Sequence, residues 1–353
     1  MISNNKTLIF GLFMVTAFSQ EVKWMSIGDL HNWYSAAGCE IETGRTGQVT
    51  DQQDGLRYPA FYRVQDNQAA KGLWLGATNF YDPVVNKDYE YKVVHAGPRH
   101  LDIESETMPV DISMDGKYDH PNVFVDGDPA TNLQYLDDVD NIDPSLSSDR
   151  RINNIVQTSI GVQMKRTIYA FAHPDHQNYH VQEYVFTNNG CFDADCNTSY
   201  EQTLEGFQVY LQYRYAISRE GMVYDGNWLP QSAAWGHNTM NDVIGEHPDA
   251  PSTNDQFYDD GEIMRALFSW QGYHSDASFD NIGGPNAPGE GHLGAAQFVG
   301  VVTLHADTSP ADDTDNINQP STTWFITSDD PTTSGNDQYN EVKSTNEYTN
   351  YMT

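Results

Sequence analysis

Positive charge is scarce in this chain. Lys and Arg number 18 among 353 residues, against 50 Asp and Glu, for a formal net charge of −32. Such a surface repels phosphate groups, which disfavours nucleic acid and anionic lipid as partners. Long apolar runs are missing as well. Nothing after residue 20 approaches the roughly 20 apolar residues needed to cross a hydrocarbon core, so no transmembrane segment is expected. Short catalytic signatures are absent: there is no G-x-S-x-G elbow, no H-E-x-x-H, no Walker loop and no G-x-G-x-x-G after a strand. The glycine-rich GGPNAPGEGHLG lacks the Lys and the following helix that phosphate binding uses, so no nucleotide cofactor is expected. Helical periodicity is scarce too. SIGDLHNWYSAAG, with Ser26 followed three residues later by Asp29 and ending at Gly38, is the one short helix the pattern predicts.

Cys is nearly absent, and its context matters. The N-terminus reads as a cleavable export leader over residues 1–19. A polar start carries Lys6, an apolar run extends from Thr7 to Phe18, and Ala17-Phe18-Ser19 supplies small residues at alternate positions. The run is too short to span a bilayer. An exported protein meets an oxidising compartment, where Cys191 and Cys196, bracketing FDAD, are expected to form a local disulfide. A two-thiolate metal site is the rival, and it lacks a second cysteine pair. Cys39 is left over, either as a buried thiol or with a partner outside the chain.

What the chain has in quantity is period-2 alternation. In FQVYLQYRYAIS, Phe207, Val209, Leu211, Tyr213, Tyr215 and Ile217 share one face of an extended segment. IGVQMKRTIYAFA alternates from Ile160 through Val162, Met164 and Ile168, and YHVQEYVFTN reads as its hairpin partner across HPDHQN. FVGVVTLHA, almost continuously apolar, fits a central strand. Weaker strands are YEYKVVHAG, NVFVDG, ALFSWQGY and TWFITS. The pattern predicts an all-β protein, an antiparallel β-sandwich with long, elaborated loops and few short helices. Residues 20–353 would form one large β domain or two closely packed ones with a boundary near 150. The chain stops at NEYTNYMT without a closing strand, which suggests a piece of a longer protein.

Asp outnumbers Glu by 35 to 15, and Asp suits turns rather than helix faces. The densest loop, 126–149, holds Asp126, Asp128, Asp137, Asp138, Asp140 and Asp143. Calcium takes six to eight hard oxygens at short range, which closely spaced Asp in a loop can supply. The spacing departs from a standard loop: counting from Asp138, Ile142 occupies the third ligand position and no Gly forms the central turn. The alternatives are therefore calcium or a solvated acidic loop. His173, His176 and His180 fall close together, but in a turn rather than on a helix face. Tyr224, Trp228, Trp235 and Trp270 are candidates for stacking on sugar rings, since aromatic faces beside polar groups suit carbohydrate; packing beneath loops is their ordinary use. Glu183 and Glu205 form a weak carboxylate pair of the kind a glycosidase needs.

The stretches RINNIVQTSIGVQMKRTIYAF, YHVQEYVFTNNG, TLEGFQVYLQYRYAISRE, WGHNTMND, LGAAQFVGVVTLHAD and QPSTTWFITSDDPTTSGND together resemble a group of large exported bacterial proteins without an assigned activity. Members often end in a sorting domain for type IX secretion, which this sequence lacks. The likeness covers roughly residues 70–350. It implies an extracellular or cell-surface location and carries over no catalytic residues. The expectation is a secreted or surface β-sandwich that binds or scaffolds, with carbohydrate or other surface proteins as partners. The alternative is a secreted polysaccharide-active enzyme.

Overall fold

The computed structural model describes residues 21–41, 56–61, 67–96, 106–121, 123–130, 137–215, 217, 223–224, 227–228, 239–244, 265–271, 297–320 and 338–352. The leader, TWFITS and Trp235 lie outside the described residues. In chain order the strands are β1 (Val22–Met25), β2 (Asn32–Ser35), β3 (Glu40–Ile41), β4 (Gln68–Asp82), β5 (Lys87–Ala96), β6 (Thr107–Gly116), β7 (Phe124–Val125), β8 (Asp128–Pro129), β9 (Asn141–Ile142) and β10 (Arg150–Thr158). They continue with β11 (Val162–Ala170), β12 (His180–Asn188), β13 (Glu205–Tyr215), β14 (Val223–Tyr224), β15 (Asn227–Trp228), β16 (Thr239–Ile244), β17 (Arg265–Gln271), β18 (Phe298–Thr303), β19 (Asp307–Ser309) and β20 (Asp312–Asp315). One helix, α1 (Glu341–Glu347), runs into a π-helical turn, Tyr348–Met352. Among the described residues no helix is long and apolar enough to cross a membrane.

Two sheets form an antiparallel sandwich. The first has five strands in the order β12-β11-β10-β6-β9, antiparallel except for the short β6–β9 pair. It continues across residue 150, where Arg150 pairs with both Gly116 and Ala170. The second is centred on β4, with β13 along one edge and β5 and β3 along the other. Leu73, Leu75 and Ala77 of β4 pack with Val94 and Ala96 against Val156, Val162 and Met164 of the first sheet. Phe207 and Leu211 of β13 join that core, as their shared parity requires. A second cluster lies under β1 and β2, where Met25 and Tyr34 meet Ile112, Met114, Ile152 and Ile168.

β4 is buried on both faces. Its other face, with Trp74, receives Tyr348 and Met352 from the C-terminal segment, together with Val93. Gly76 permits this approach, since a Cβ there would lie 2.8 Å from the Tyr348 ring. Asn340 caps α1, its side chain accepting from the N–H of Lys343. The sequence pattern predicted no structure for this segment.

Two expectations are corrected. The helix at SIGDLHNWYSAAG is instead a turn followed by β2. β1 and β2 pair antiparallel with Trp24 opposite Trp33, and Gly28 sits at φ +75°, a conformation that interrupts a helix. FVGVVTLHA is not a central strand: among the described residues β18 pairs with β17 alone, in a sheet of order β16-β17-β18. Phe298 and Val302 are exposed, while Val299 packs on the cluster of Tyr215 and Ile217.

The Gly28 turn is anchored, because Asp29 and Leu30 both donate main-chain N–H groups to the Gln177 carbonyl. A Cβ on Gly28 would lie 2.7 Å from that oxygen. Gly28→Ala is expected to cost about 2 kcal/mol and to lower Tm by several degrees, measured by thermal circular dichroism. An unchanged Tm would show that the turn is not held as described.

Candidate functional site

One end of the five-stranded sheet brings together the histidine turn and the later part of the Asp-rich loop. Register places the end of β6 (Gly116), the start of β10 (Arg150), the end of β11 (Ala170) and the start of β12 (His180) side by side. The segments leaving these points, 117–121, 143–149 and 171–179, therefore share that end. Arg150 braces two of them, donating to the carbonyls of Tyr118 and Asp149. The exposed side chains here include Tyr118, His173, His176 and Tyr179. His176 Nδ1 meets the Tyr179 hydroxyl at 2.6 Å, and the His173 and His176 rings lie 5.5 Å apart.

The acidic residues of 126–149 do not converge on one point. Asp137, nearly buried, accepts from the Ser26 hydroxyl and meets His120 Nε2 at 2.9 Å. Asp140 accepts from Lys23 at 3.0 Å and from the Met114 N–H at 2.6 Å. Asp143 accepts from the Ser145 hydroxyl and N–H, which hold its carboxyl below the ordinary value. Asp138 is exposed. Asp126 and Asp128 belong to the β7–β8 hairpin, whose turn carries Asp126 at φ +54° and Gly127 at +93°, the signs of a type I′ turn. Among the described residues no group of three or more His, Cys, Asp or Glu is placed to hold a metal ion.

Of the three clustered histidines, His180 turns inward. Its Nε2 donates to the Leu30 carbonyl, so in the neutral ring Nδ1 accepts from the Tyr34 hydroxyl at 2.8 Å. Burial lowers its pKa to about 4. The backbone of Tyr224 and Trp228 forms the small β14–β15 hairpin, while Trp270 lies near the end of β17, opposite Met240 and Phe298. Trp270 thus falls in a different sheet from Tyr224 and Trp228, and the side chains of all three lie outside the described residues. Glu183 and Glu205 also belong to different sheets, each exposed and each in contact with a neighbour, Tyr169 and Asn79 respectively. A disulfide joins Cys191 and Cys196, and Cys39 is a buried free thiol.

Beneath this end lies a set of buried charges that the sequence reading did not single out. Arg166, fully buried, donates to the carbonyls of Gly38 and Ser35 and to Asn154 Oδ1. Glu40 accepts from Lys71, Gln182, Asn32 and Gln68. Lys71 Nζ reaches Glu40 at 3.2 Å, Gln182 at 2.9 Å and the Tyr184 hydroxyl at 2.8 Å. Burial works against both charges. Glu40 and the tyrosines nevertheless hold the Lys71 amine well above its ordinary value, while Lys71 and Arg166 hold Glu40 below its own. On the other face of β4–β5, His95 Nδ1 meets Glu106 at 2.8 Å and Nε2 meets Glu347 of α1 at 3.0 Å. Burial opposes protonation there too, but the two carboxylates win and raise His95 to about 9. Parity was the available signal for Arg166, a charge at an inward position between Met164 and Ile168. The partners of Lys71 and His95 come from distant strands, beyond any local pattern.

No protein-family model, curated protein or solved structure matches this chain. The fold and site define an all-β sandwich, braced inside by paired charges and carrying exposed aromatics and carboxylates at one loop end.

Two predictions follow from the buried charges. Lys71→Met strands Glu40 in the interior and is expected to cost about 3–5 kcal/mol in urea unfolding, whereas adding Glu40→Gln restores part of the loss; equal stability of the two variants would contradict the pairing. His95 binds its proton more tightly folded than unfolded. Its contribution is therefore complete below pH 6.5 and is lost as pH rises through about 9. The shift corresponds to about 3 kcal/mol. His95→Gln should narrow the stability gap to wild type between pH 6 and pH 9.5; a constant gap would refute the coupling.

Proposed function

We propose that this chain is a secreted or cell-surface β-sandwich protein with a binding or scaffolding role, and that the loop end of the five-stranded sheet is its contact surface. The observation that carries this reading is the presentation of Tyr118, Tyr179, His173 and His176 at one end of the five-stranded sheet, from loops tied down by Arg150 and Asp149. The buried ionisable groups are committed to one another: the side chains of Lys71 and Glu40 are only 6% and 3% exposed, which leaves a substrate no route to them. Aromatic faces flanked by carboxylates suit the apolar faces and hydroxyls of sugars, so surface carbohydrate is the favoured ligand class. Calcium stiffening of the 126–149 loop belongs to the same reading, and the leader expected over residues 1–19 supports a location outside the cytoplasm.

The test is titration of the mature protein against a panel of oligosaccharides, with calcium and with chelator. The expected result is saturable binding that Tyr118→Ala with Tyr179→Ala weakens about tenfold, roughly 1.4 kcal/mol. Release of reducing sugar would move the protein to the polysaccharide-active enzymes, and binding unaffected by the double variant would remove the loop end from consideration.

A further inference from the structure

Two lysines are buried beside a carboxylate, and their surroundings differ. Lys71 has three acceptors and an amine held well above its ordinary value. That is a charge at rest in a full set of hydrogen bonds. Lys92 is set differently. Its side chain is 0% exposed and that of its partner Asp82 is 2% exposed. Asp82 Oδ2, at 2.8 Å, is its one hydrogen-bond acceptor among the described residues. The rest of the cage is aromatic, with the Tyr89 and Tyr339 rings 4.5 and 4.6 Å from Nζ. Burial outweighs Asp82 here and pushes the amine below its ordinary value, toward the neutral, nucleophilic form.

The carboxyl is prepared as well. Asp82 ends β4 and opens the turn to β5, and its Oδ1 accepts from the N–H groups of Val84 at 2.9 Å and Val85 at 3.3 Å. One oxygen is thus held by two main-chain donors while the other faces the amine. This is the layout of a carbonyl about to take up negative charge. A second acid, Glu106, is fully buried and close enough for its charge to act on Lys92. It is fixed by the N–H and ring of His95.

We propose that Lys92 and Asp82 condense into an intramolecular isopeptide bond that staples β4 to β5. A proton first passes from Nζ to Oδ2, converting the ion pair to a neutral amine and acid. Nζ then attacks Cγ, and the charge that develops on Oδ1 is met by the Val84 and Val85 N–H groups. The Nζ proton is taken by Glu106 and returned to the Oδ2 hydroxyl, which leaves as water when the Cγ–Oδ2 bond breaks. The Nζ–Cγ bond remains, with one hydrogen on nitrogen; one water is released and no oxidant or cofactor is consumed. Exclusion of solvent from the cage disfavours hydrolysis of the amide once that water has diffused out. The lysine–carboxylate contact at Lys71 and Glu40, with its amine held charged, is the internal contrast and stays ionic.

The test is intact-mass spectrometry of the folded mature protein after denaturation and disulfide reduction. The expected mass is one water below that of the sequence, with a branched peptide after proteolysis joining the Asp82 and Lys92 segments. Lys92→Arg keeps a cation but cannot form this amide, so it should show the full sequence mass. Glu106→Gln should slow or abolish the loss of water; since it also removes one carboxylate from His95, the mass is read on variant protein whose circular dichroism matches wild type. A wild-type protein that is folded, has the full sequence mass and yields only linear peptides overturns the proposal, as does a water loss mapped to any other residue pair. The wild-type measurement is decisive even where a variant fails to fold.

Discussion

The interior of this protein is organised around a guanidinium that cannot reach water. Arg166 points inward on β11 between Met164 and Ile168, opposite Asn154 on β10. A buried cation needs acceptors for its donors, and for the two terminal nitrogens of Arg166 the main-chain acceptors come from outside the sheet. They are the carbonyls of Ser35 and Gly38, with Asn154 Oδ1 beside them. Asn154 itself donates to the carbonyls of Ala36 and Asp111. The turn between β2 and β3 is therefore fixed by the sheet's need for acceptors, and Gly38 at φ +97° lets it bend tightly enough to supply them. Once the turn is placed, Glu40 follows two residues later and meets Lys71 on β4. One buried charge thus positions the next, and the chain of contacts links the two sheets across a seam that divides the apolar core in two.

The same logic operates on the far face of β4. Sheets with one solvated face show clean alternation, and β4 does not, because Trp74 and Gly76 lie beneath the C-terminal segment. That segment is short for a helix, and short helices are marginal by themselves. Tertiary contacts hold it: Tyr348 and Met352 in the apolar layer, the Tyr348 hydroxyl on the Gly206 carbonyl, and Glu347 on His95. His95 accordingly carries its charge between two elements far apart in sequence, Glu106 before β6 and Glu347 on α1.

This explains which parts were legible in the sequence. The hairpin of β11 and β12 and the long strand β13 were readable because their residues alternate between core and a more open face. β4 and β6 were not singled out. β4 mixes Lys71, two glycines and Asn79 among its apolar residues, and β6 carries Pro109 where its register with β10 shifts. The N-terminal segment looked helical because Ser26 and Asp29 imitate a cap, yet Trp24 and Trp33 pair across antiparallel strands. The Asp-rich segment is dense in carboxylates by sequence alone. Density does not determine direction: Asp137 and Asp140 turn to Ser26, His120 and Lys23, all remote in sequence. His180 illustrates the same limit, since one residue of strand parity separates it from the exposed Tyr179 and turns it toward Tyr34.

The buried pairs also change the meaning of the composition. Among the described residues, Arg57, Lys71, Lys92, Arg150, Arg166 and Arg265 are buried, six of the 18 cations. Glu40, Asp82, Glu106, Asp115, Asp137 and Glu347 are buried too, six of the 50 acids. Equal numbers leave the net charge as it was, but six cations are a larger share of the scarce Lys and Arg than six acids are of the abundant Asp and Glu. The exterior is therefore more one-sided than the sequence total implies. A surface dominated by carboxylates repels a partner with a negative surface. The scarcity of cations outside and the dependence on them inside are two aspects of the same fold.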